Sequence, residues 1–463
     1  MKKRTGNSKM RKQSFILIAL LLAIYTCNVA FAQDTTEEQY QSHLRITSPP
    51  ELAREWNRKL GSVAIGNFGY VPWGRTLVGN LKYANPPDGC TYEWKAGGSG
   101  ADDEDDDAPI LVAERGNCTF TVKALKAQLQ GAKMLIVLDN QVENTQGIIP
   151  IGDGNEKGVH IPTLLLNKEA GDKLKKAFPK VITAVMYFNF PKRNAIDYEV
   201  WLSSTDMKSI EFVKDLETYI PRLGENASFT PYYSSWQSFM PDSDYTRENC
   251  ISKGAYCAPD PDASGPLKGT DTLEEDLRQL CIWKQGQSYW WSYFKELDAE
   301  CAHTVEMHKC SNKTIKAIGL RPDDIAKCVD ESFETFGDRK TDTKLLKPNQ
   351  DRIYTRNIQF WPSVVINNFT YRGNIEGRDV FDALCEGFSA MPRSCIIDET
   401  EVTGKKSSGI VGPMFLLLCV LASFVLIFVL YKRWLKKNLM REMNTQMNVK
   451  ISQYFSMADP QTR

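Results

Sequence analysis

The stretch CAHTVEMHKC places Cys301, His303, His308 and Cys310 within ten residues. Two sulfurs and two imidazoles at that spacing suit tetrahedral zinc. The same cysteines could close disulfides, and their context favours that reading. Of twelve cysteines, Cys27 lies in an apolar N-terminal run and Cys419 in an apolar C-terminal run. The ten between them are Cys90, Cys118, Cys250, Cys257, Cys281, Cys301, Cys310, Cys328, Cys385 and Cys395. An even number behind a secretory start reads as disulfides. No two are spaced CxxC, so thiol-exchange chemistry is not expected. HExxH and GxSxG are absent, and there are only four histidines, at 43, 160, 303 and 308. No metal, cofactor or enzymatic activity is expected. Near the C-terminus YFSM runs from Tyr454 to Met457, a tyrosine followed two residues on by a bulky apolar residue. Endocytic adaptor proteins read that pattern when it faces the cytosol.

Which side Tyr454 faces follows from the two apolar runs. Lys2, Lys3, Arg4, Lys9, Arg11 and Lys12 precede an apolar run from Phe15 to Val29, then Ala30, Phe31 and Ala32. This is a signal peptide over residues 1–32. Residues 410–431 carry no charge across 22 positions, and about 20 cross the hydrocarbon core. Lys432, Arg433, Lys436, Lys437 and Arg441 follow, against Lys405 and Lys406 before it. The heavier basic flank belongs in the cytosol. The expectation is a single-pass protein with a stalk at 398–409, a transmembrane helix at 410–431 and a cytosolic tail at 432–463, where a Tyr454–Met457 signal can be read. Sequons at Asn117, Asn226, Asn312 and Asn368 then all fall in the lumen. Residues 33–409 hold 44 basic and 55 acidic residues, a net of −11, which disfavours nucleic-acid binding. The acidic run at 102–107 lacks the glycine-spaced geometry of a calcium loop and reads as solvated.

Two luminal domains are expected. Over 50–192, six short apolar runs (GSVAIGNFG, GRTLVGNLKYA, APILVAERG, AKMLIVLDN, IPTLLLN, ITAVMYFNF) alternate with turns. One helix interrupts them, TVKALKAQLQGA, with Val122, Leu125 and Leu129 on one face and Gly131 as its stop. Over 193–397, AIDYEVWL reads as a strand and MKSIEFVKDLETYIPRL as a helix with Ile210, Val213, Leu216 and Ile220 along one face. ASFTPYYSSW gives a second strand. IQFWPSVVINNFTYRG gives a strand pair, and GRDVFDALCEGF a helix. Between them, at about 245–350, lies a cysteine-rich helical insertion. Leu273, Leu277, Leu280 and Cys281 recur at helical spacing, as do Trp290, Trp291, Phe294, Leu297 and Cys301, and Pro322 opens another helix.

ILVAERGNCTFTVKALKAQLQGAKMLIVLDN, followed by IPTLLLNKEAGDKLKKA, resembles the protease-associated domain, a β-rich module that binds peptides or restricts access to a neighbouring site. Within it Cys118 is expected to pair with Cys90. The second domain resembles a thioredoxin-like fold with Pro362 at the cis-proline position. Its strand-to-helix turn, SSTDMKS, has no cysteine, so the resemblance implies a binding scaffold. CISKGAYCAPDPD, LRQLC, YWWSYF, GLRPDDIAKCV, WPSVVINNFTYRG and ALCEGF occur in this order in vacuolar sorting receptors. The fold class expected is therefore α+β and multidomain: a β-rich protease-associated domain, a thioredoxin-like domain with a disulfide-rich helical insertion, and one transmembrane helix.

That resemblance implies a cargo receptor. The lumen would capture short sorting peptides of soluble hydrolase precursors, and the tail would engage clathrin adaptor complexes. Transport would run from the Golgi and trans-Golgi network through endosomes and vesicles to a vacuole- or lysosome-like compartment. Cargo would be gripped by the loop RGNCTF, with Arg115 pairing to a carbonyl or carboxylate and Gly116, Asn117 and Thr119 offering further contacts. The alternative role of Arg115 is an ion pair that fixes the loop. Asn117 stands where the family usually has an acid, and its sequon would place a glycan on the loop. Asn226, Asn312 and Asn368 are the other glycosylation candidates. Only 14 residues separate Cys395 from the apolar run, so the family's EGF-like repeats, and any calcium dependence held in them, are not expected. Release in acidifying compartments would fall to His160, His303 and His308, then to the acid run. A membrane-tethered luminal chaperone without catalysis is the alternative from another functional class.

Overall fold

The computed structural model describes residues 43–91, 95–97, 108–142, 149–240, 243–263, 265–297, 306–396, 423–441 and 443. The expected signal peptide, the acid run at 102–107, Cys301, His303, Tyr454 and Met457 fall outside them. The chain divides at Cys395–Ile396 into two compact units.

The larger unit begins with an eight-stranded sheet. Its elements are β1 (Leu44–Ser48), α1 (Pro50–Lys59), β2 (Val63–Ile65), β3 (Thr76–Asn85), β4 (Lys95–Gly97), β5 (Ile110–Glu114), α2 (Phe120–Leu129), β6 (Met134–Leu138), β7 (Thr163–Leu166), α3 (Lys168–Ala177) and β8 (Thr183–Tyr187). Strand order is β1-β8-β3-β5-β6-β7-β2, with β4 on β3. The inner strands β3, β5, β6 and β7 run parallel. Strands β6 and β7 are buried at every position, which their unbroken apolar sequences require of strands covered on both faces. All six expected strands form, β1 adds one on the β8 edge and β4 one beside β3.

Helix α2 forms where expected but presents another face. Thr121, Lys123, Ala124 and Ala127 are buried, whereas Leu129 is 72 % exposed. Of the expected stripe, Val122 and Leu125 are half-buried, with Leu125 packed at the margin of the core, and only Leu129 faces away. The alanines let the helix axis approach Leu111, Ala113, Leu135, Val137 and Leu165 closely, and larger side chains there would hold it off. Gly131 ends the helix at φ +79°.

The second sheet comprises β9 (Ile196–Leu202), then α4 (Met207–Glu217), and β10 (Ala227–Tyr233) parallel to β9. Ile210, Val213 and Leu216 are buried on α4 as their spacing predicts, but the helix stops at Glu217 and Ile220 opens a 3-10 segment. The insertion holds α5 (Asp244–Asn249), β11 (Cys250–Ile251), β12 (Tyr256–Cys257), α6 (Gly269–Gln285), α7 (Gln287–Glu296), α8 (Met307–Ala317), α9 (Pro322–Ser332) and α10 (Lys347–Ile353). The chain then returns through β13 (Ser363–Ile366) and β14 (Phe369–Thr370) to α11 (Gly377–Glu386), giving the order β10-β9-β13-β14. The Trp361–Pro362 peptide is cis. Disulfides join Cys90–Cys118, Cys250–Cys257, Cys281–Cys328 and Cys385–Cys395, and Cys310 is also disulfide-bonded.

The two sheets share a packed junction. Trp73 meets Phe190 and Phe369 edge-on at 5.2 and 5.4 Å, and its indole N–H donates to the Arg372 carbonyl at 3.1 Å. Asn374, buried, accepts the Gly69 N–H at Oδ1 (2.6 Å) and donates through Nδ2 to Asp379 Oδ2 (3.1 Å).

In the second unit residues 423–441 are helical. Among the described residues no helix is long and apolar enough to cross a membrane. The span expected at 410–431 lies outside them up to residue 422.

Candidate functional site

The loop RGNCTF joins β5 to α2 at the end of the parallel sheet, where α/β folds open crevices for ligands. Gly116 sits at φ +119° and Asn117 at φ +63°. A Cβ placed on Gly116 would meet only Asn140 Nδ2, at 3.9 Å, so it is the backbone turn that calls for glycine there. The Cys90–Cys118 bridge ties the loop to the β3–β5 connection.

The expected site residues are brought together, already partnered. Arg115 donates through Nη1 to Asp139 Oδ1 at 3.0 Å, and Asp139 is inaccessible to solvent. Its main-chain N–H also bonds the Leu138 carbonyl. The arginine thus fixes the loop to the end of β6, and its outer edge remains 30 % exposed. Asn117 Nδ2 donates to Asp88 Oδ2 (2.8 Å), and this bond, with the Cys90 N–H, holds the Asp88 carboxyl below its usual range. Thr119 caps α2 by accepting the Val122 N–H and donates to Asp153 Oδ2 at 2.6 Å. That hydroxyl likewise holds Asp153 low. Asn117 and Thr119 are exposed.

Underneath lies Lys123, which no pattern in the sequence singles out. It is 1 % exposed. Its ammonium donates to the Gly116 carbonyl at 2.8 Å and to the Asp88 carbonyl, and lies 3.3 and 3.5 Å from the sulfurs of Cys90 and Cys118. Burial pushes its pKa down, and Asp88 opposes the fall. Lys123→Met should lower stability by about 2 kcal/mol, since two carbonyls lose a charged donor while a buried charge is relieved. A urea titration of residues 33–396 checks this; an unchanged midpoint would show that the ammonium does not support the loop.

Asp88, Asp139 and Asp153, from three different connections, surround the loop with carboxylates. One of them, Asp139, is neutralised by Arg115. The exposed rim therefore accepts hydrogen bonds, suiting a ligand rich in N–H groups such as an extended peptide.

The position that would be redox-active in a thioredoxin-like fold is closed. Ser203, Ser204 and Thr205, in the β9–α4 turn, are buried under α6. The Ser204 N–H donates to Asp276 Oδ1 (3.0 Å), Ser204 Oγ donates to the Thr272 carbonyl, and the Thr205 and Thr272 hydroxyls bond at 2.9 Å. Burial pushes the Asp276 carboxyl up to about 8. The insertion thus seals a turn that already lacks cysteine.

Residues 196–385 match the vacuolar sorting receptor thioredoxin-like domain, and 76–174 the PA domain. Vacuolar-sorting receptor 1 of Pisum sativum is 30 % identical over 413 residues, covering 78 % of this chain and 62 % of its own length. Vacuolar-sorting receptor 7 of Arabidopsis thaliana is 28 % identical over 422 residues, covering 83 % and 64 %. The chain thus spans less than two thirds of the length of these relatives. Among solved structures, a thiol-disulfide oxidoreductase from Corynebacterium diphtheriae superposes with a TM-score of 0.27 and 12 % identity, over 41 % of this chain and 83 % of that one. That score is too low to carry any chemistry across.

Proposed function

We propose, for a chain that is a relative of the vacuolar-sorting receptors, that it is a type I transmembrane sorting receptor. Its lumen binds sorting peptides of soluble hydrolase precursors, and its tail recruits clathrin adaptors for carriage from the Golgi through endosomes to a vacuole- or lysosome-like compartment. The observation that carries this reading is the carboxylate-rimmed loop 115–119, on a domain packed against the receptor-type thioredoxin-like domain. A single-pass span at 410–431 fits the described part of the second unit. There Phe424, Val425, Leu426, Ile427 and Phe428 each expose more than half of their surface, as lipid-facing side chains would. The sealed Ser203–Thr205 turn supports binding without catalysis.

Recovery of soluble luminal proteins on immobilised residues 33–396 tests the luminal half. Captured hydrolase precursors, lost on substitution in the 115–119 loop, are the expected result; capture of only unfolded chains, whatever the loop sequence, would favour the tethered chaperone. For the tail, Tyr454→Ala should shift the steady state from endosomes to the cell surface by several-fold, read by surface biotinylation. An unchanged distribution would leave YFSM without a sorting role.

A further inference from the structure

The central sheet has one face in the core; on the other, Trp201, Tyr232 and Val365 are covered by Ile353 of α10, and the end formed by Asp197, Ser228 and Thr230 stays open. Tyr198 and Val200 of β9 point inward and are buried. Asp197 and Glu199 alternate to the other face. Ser228 pairs with Asp197, and Thr230 with Glu199, across β10; Val365 pairs with Glu199 on β13. These residues, with Tyr198, Arg352 and Asn368, line a groove of about 210 Å³. Its walls are hydroxyl, carboxylate and guanidinium. Glu199 is met by Arg352 at 3.4 Å and Arg356 at 3.3 Å, and Asp197 by Arg193 at 2.9 Å, so both carboxylates of the groove are already ion-paired. Among the described residues the Ser228 and Thr230 hydroxyls have no hydrogen-bond partner. A neutral, polyhydroxylated ligand fits these walls better than an ion or an apolar chain does.

Asn368 stands at the lip of this groove and opens the sequon Asn368-Phe369-Thr370. Asn367 and Asn368, both at positive φ, form the two-residue turn joining β13 to β14. Asn368 is exposed, and its Oδ1 accepts from Arg356 Nη2 at 2.8 Å. A guanidinium only donates, so this bond fixes which end of the amide is oxygen and leaves Nδ2 without a hydrogen-bond partner among the described residues. The other sequons differ. Asn312, whose Oδ1 likewise accepts from an arginine, Arg278, is half-buried within α8, and the Asn117 Nδ2 is engaged by Asp88. Asn226 is exposed and ends the 3-10 segment that leads into β10, two residues ahead of Ser228.

We propose that Asn368 carries an N-linked glycan whose first N-acetylglucosamine residues lie in the Asp197–Ser228–Thr230 groove. The inference rests on the luminal placement given above. In the transfer, from a lipid-linked diphosphate oligosaccharide, the sugar C1–O bond to the diphosphate breaks and a C1–Nδ2 bond forms. The diphosphate leaves with the electron pair of the broken bond, and Nδ2 gives up one proton. The sugar hydroxyls then meet Ser228, Thr230 and Asp197. The open end of the sheet face is covered by the chain's own carbohydrate, and cargo is left to the loop on the other domain.

Site-resolved mass spectrometry of the full-length protein, purified in detergent from a secretory-pathway host, tests this. Asn368 should be occupied. An amidase that cuts at Nδ2 should release that glycan at least tenfold more slowly from the folded protein than after denaturation, whereas the Asn226 glycan should leave at similar rates from both. Ser228→Ala/Thr230→Val, which also removes the Asn226 sequon, should abolish the protection without lowering Asn368 occupancy. A bare Asn368 beside an occupied Asn226 would overturn the proposal alone. Equal release from folded and denatured protein would overturn the groove. If every sequon were bare, the luminal placement would fall with it.

Discussion

Arg115→Ala is expected to cost about 4 kcal/mol, because it strands the carboxylate of Asp139 with no solvent contact. The double variant Arg115→Ala/Asp139→Asn should recover most of that loss, since a neutral amide is far cheaper to bury than an unpaired charge. The pair separates the two roles open to the arginine. If its 30 % exposed edge also grips a peptide carbonyl or carboxylate, the refolded double variant will be stable yet recover at least tenfold less luminal cargo than the parent. If the arginine only fixes the loop, stability and capture will return together. Chemical denaturation paired with capture of soluble luminal proteins reads both. A single variant as stable as the parent would show that the Asp139 pair does not hold the loop.

Acidification should tighten the junction between the domains. Asp379 accepts from Asn374 at that junction; burial pushes its carboxyl up to about 6 against the Asn374 bond, which holds it down, with Glu376 and Asp382 adding to the rise and His160 opposing it. Burial raises Asp382 as well. A carboxyl whose pKa is higher folded than unfolded binds its proton more readily in the folded state, so stability grows as pH falls. The gain begins near pH 6 and is complete below the unfolded value of 3.8. It amounts to about 3 kcal/mol at most. Asp379→Asn should flatten the dependence of melting temperature on pH between 7 and 4.5, where the parent rises by several degrees. A parent that melts lower at pH 5 than at pH 7 would contradict the assignment. If cargo leaves on acidification, protonation of Asp379 is then not what drives it. The loop is nearer at hand, although Asp88 and Asp153 are held low and give up their bonds only in stronger acid.

Local pattern made much of the fold legible. Ile210, Val213 and Leu216 announce α4, and the aromatic spacing of Trp290, Trp291 and Phe294 announces α7, because a buried stripe must recur with the helical period. The same rule held only in part on α2. Phe120 and Leu125 pack at the margin of the core and Leu129 faces solvent, since a helix lying close on a parallel sheet needs small side chains beneath it, and alanine carries little weight in a hydrophobic pattern. Of the site, the loop 115–119 was visible, and with it the residue types that could contact a peptide. Its supports were not. Asp88 lies 29 residues from Asn117, Asp153 34 from Thr119 and Asp139 24 from Arg115. Pairings over such separations are products of the sheet topology and leave no local trace. Lys123 was the least visible of all, since a lysine in an amphipathic helix is ordinarily a solvated one.

Asn374 and Trp73 make the boundary near residue 192 a seam in the sequence but not in the fold. Each hydrogen-bonds to groups across it, at 2.6 Å to Gly69 and 3.1 Å to Arg372. Cutting there would leave a buried amide and an indole facing water, together with the rings of Phe190 and Phe369. Neither fragment would be a faithful sample of the whole, and the peptide loop and central domain would arrive at any cargo as one gauge. The spacing between two contact points on a cargo protein would then be measured by the receptor as much as the contacts themselves.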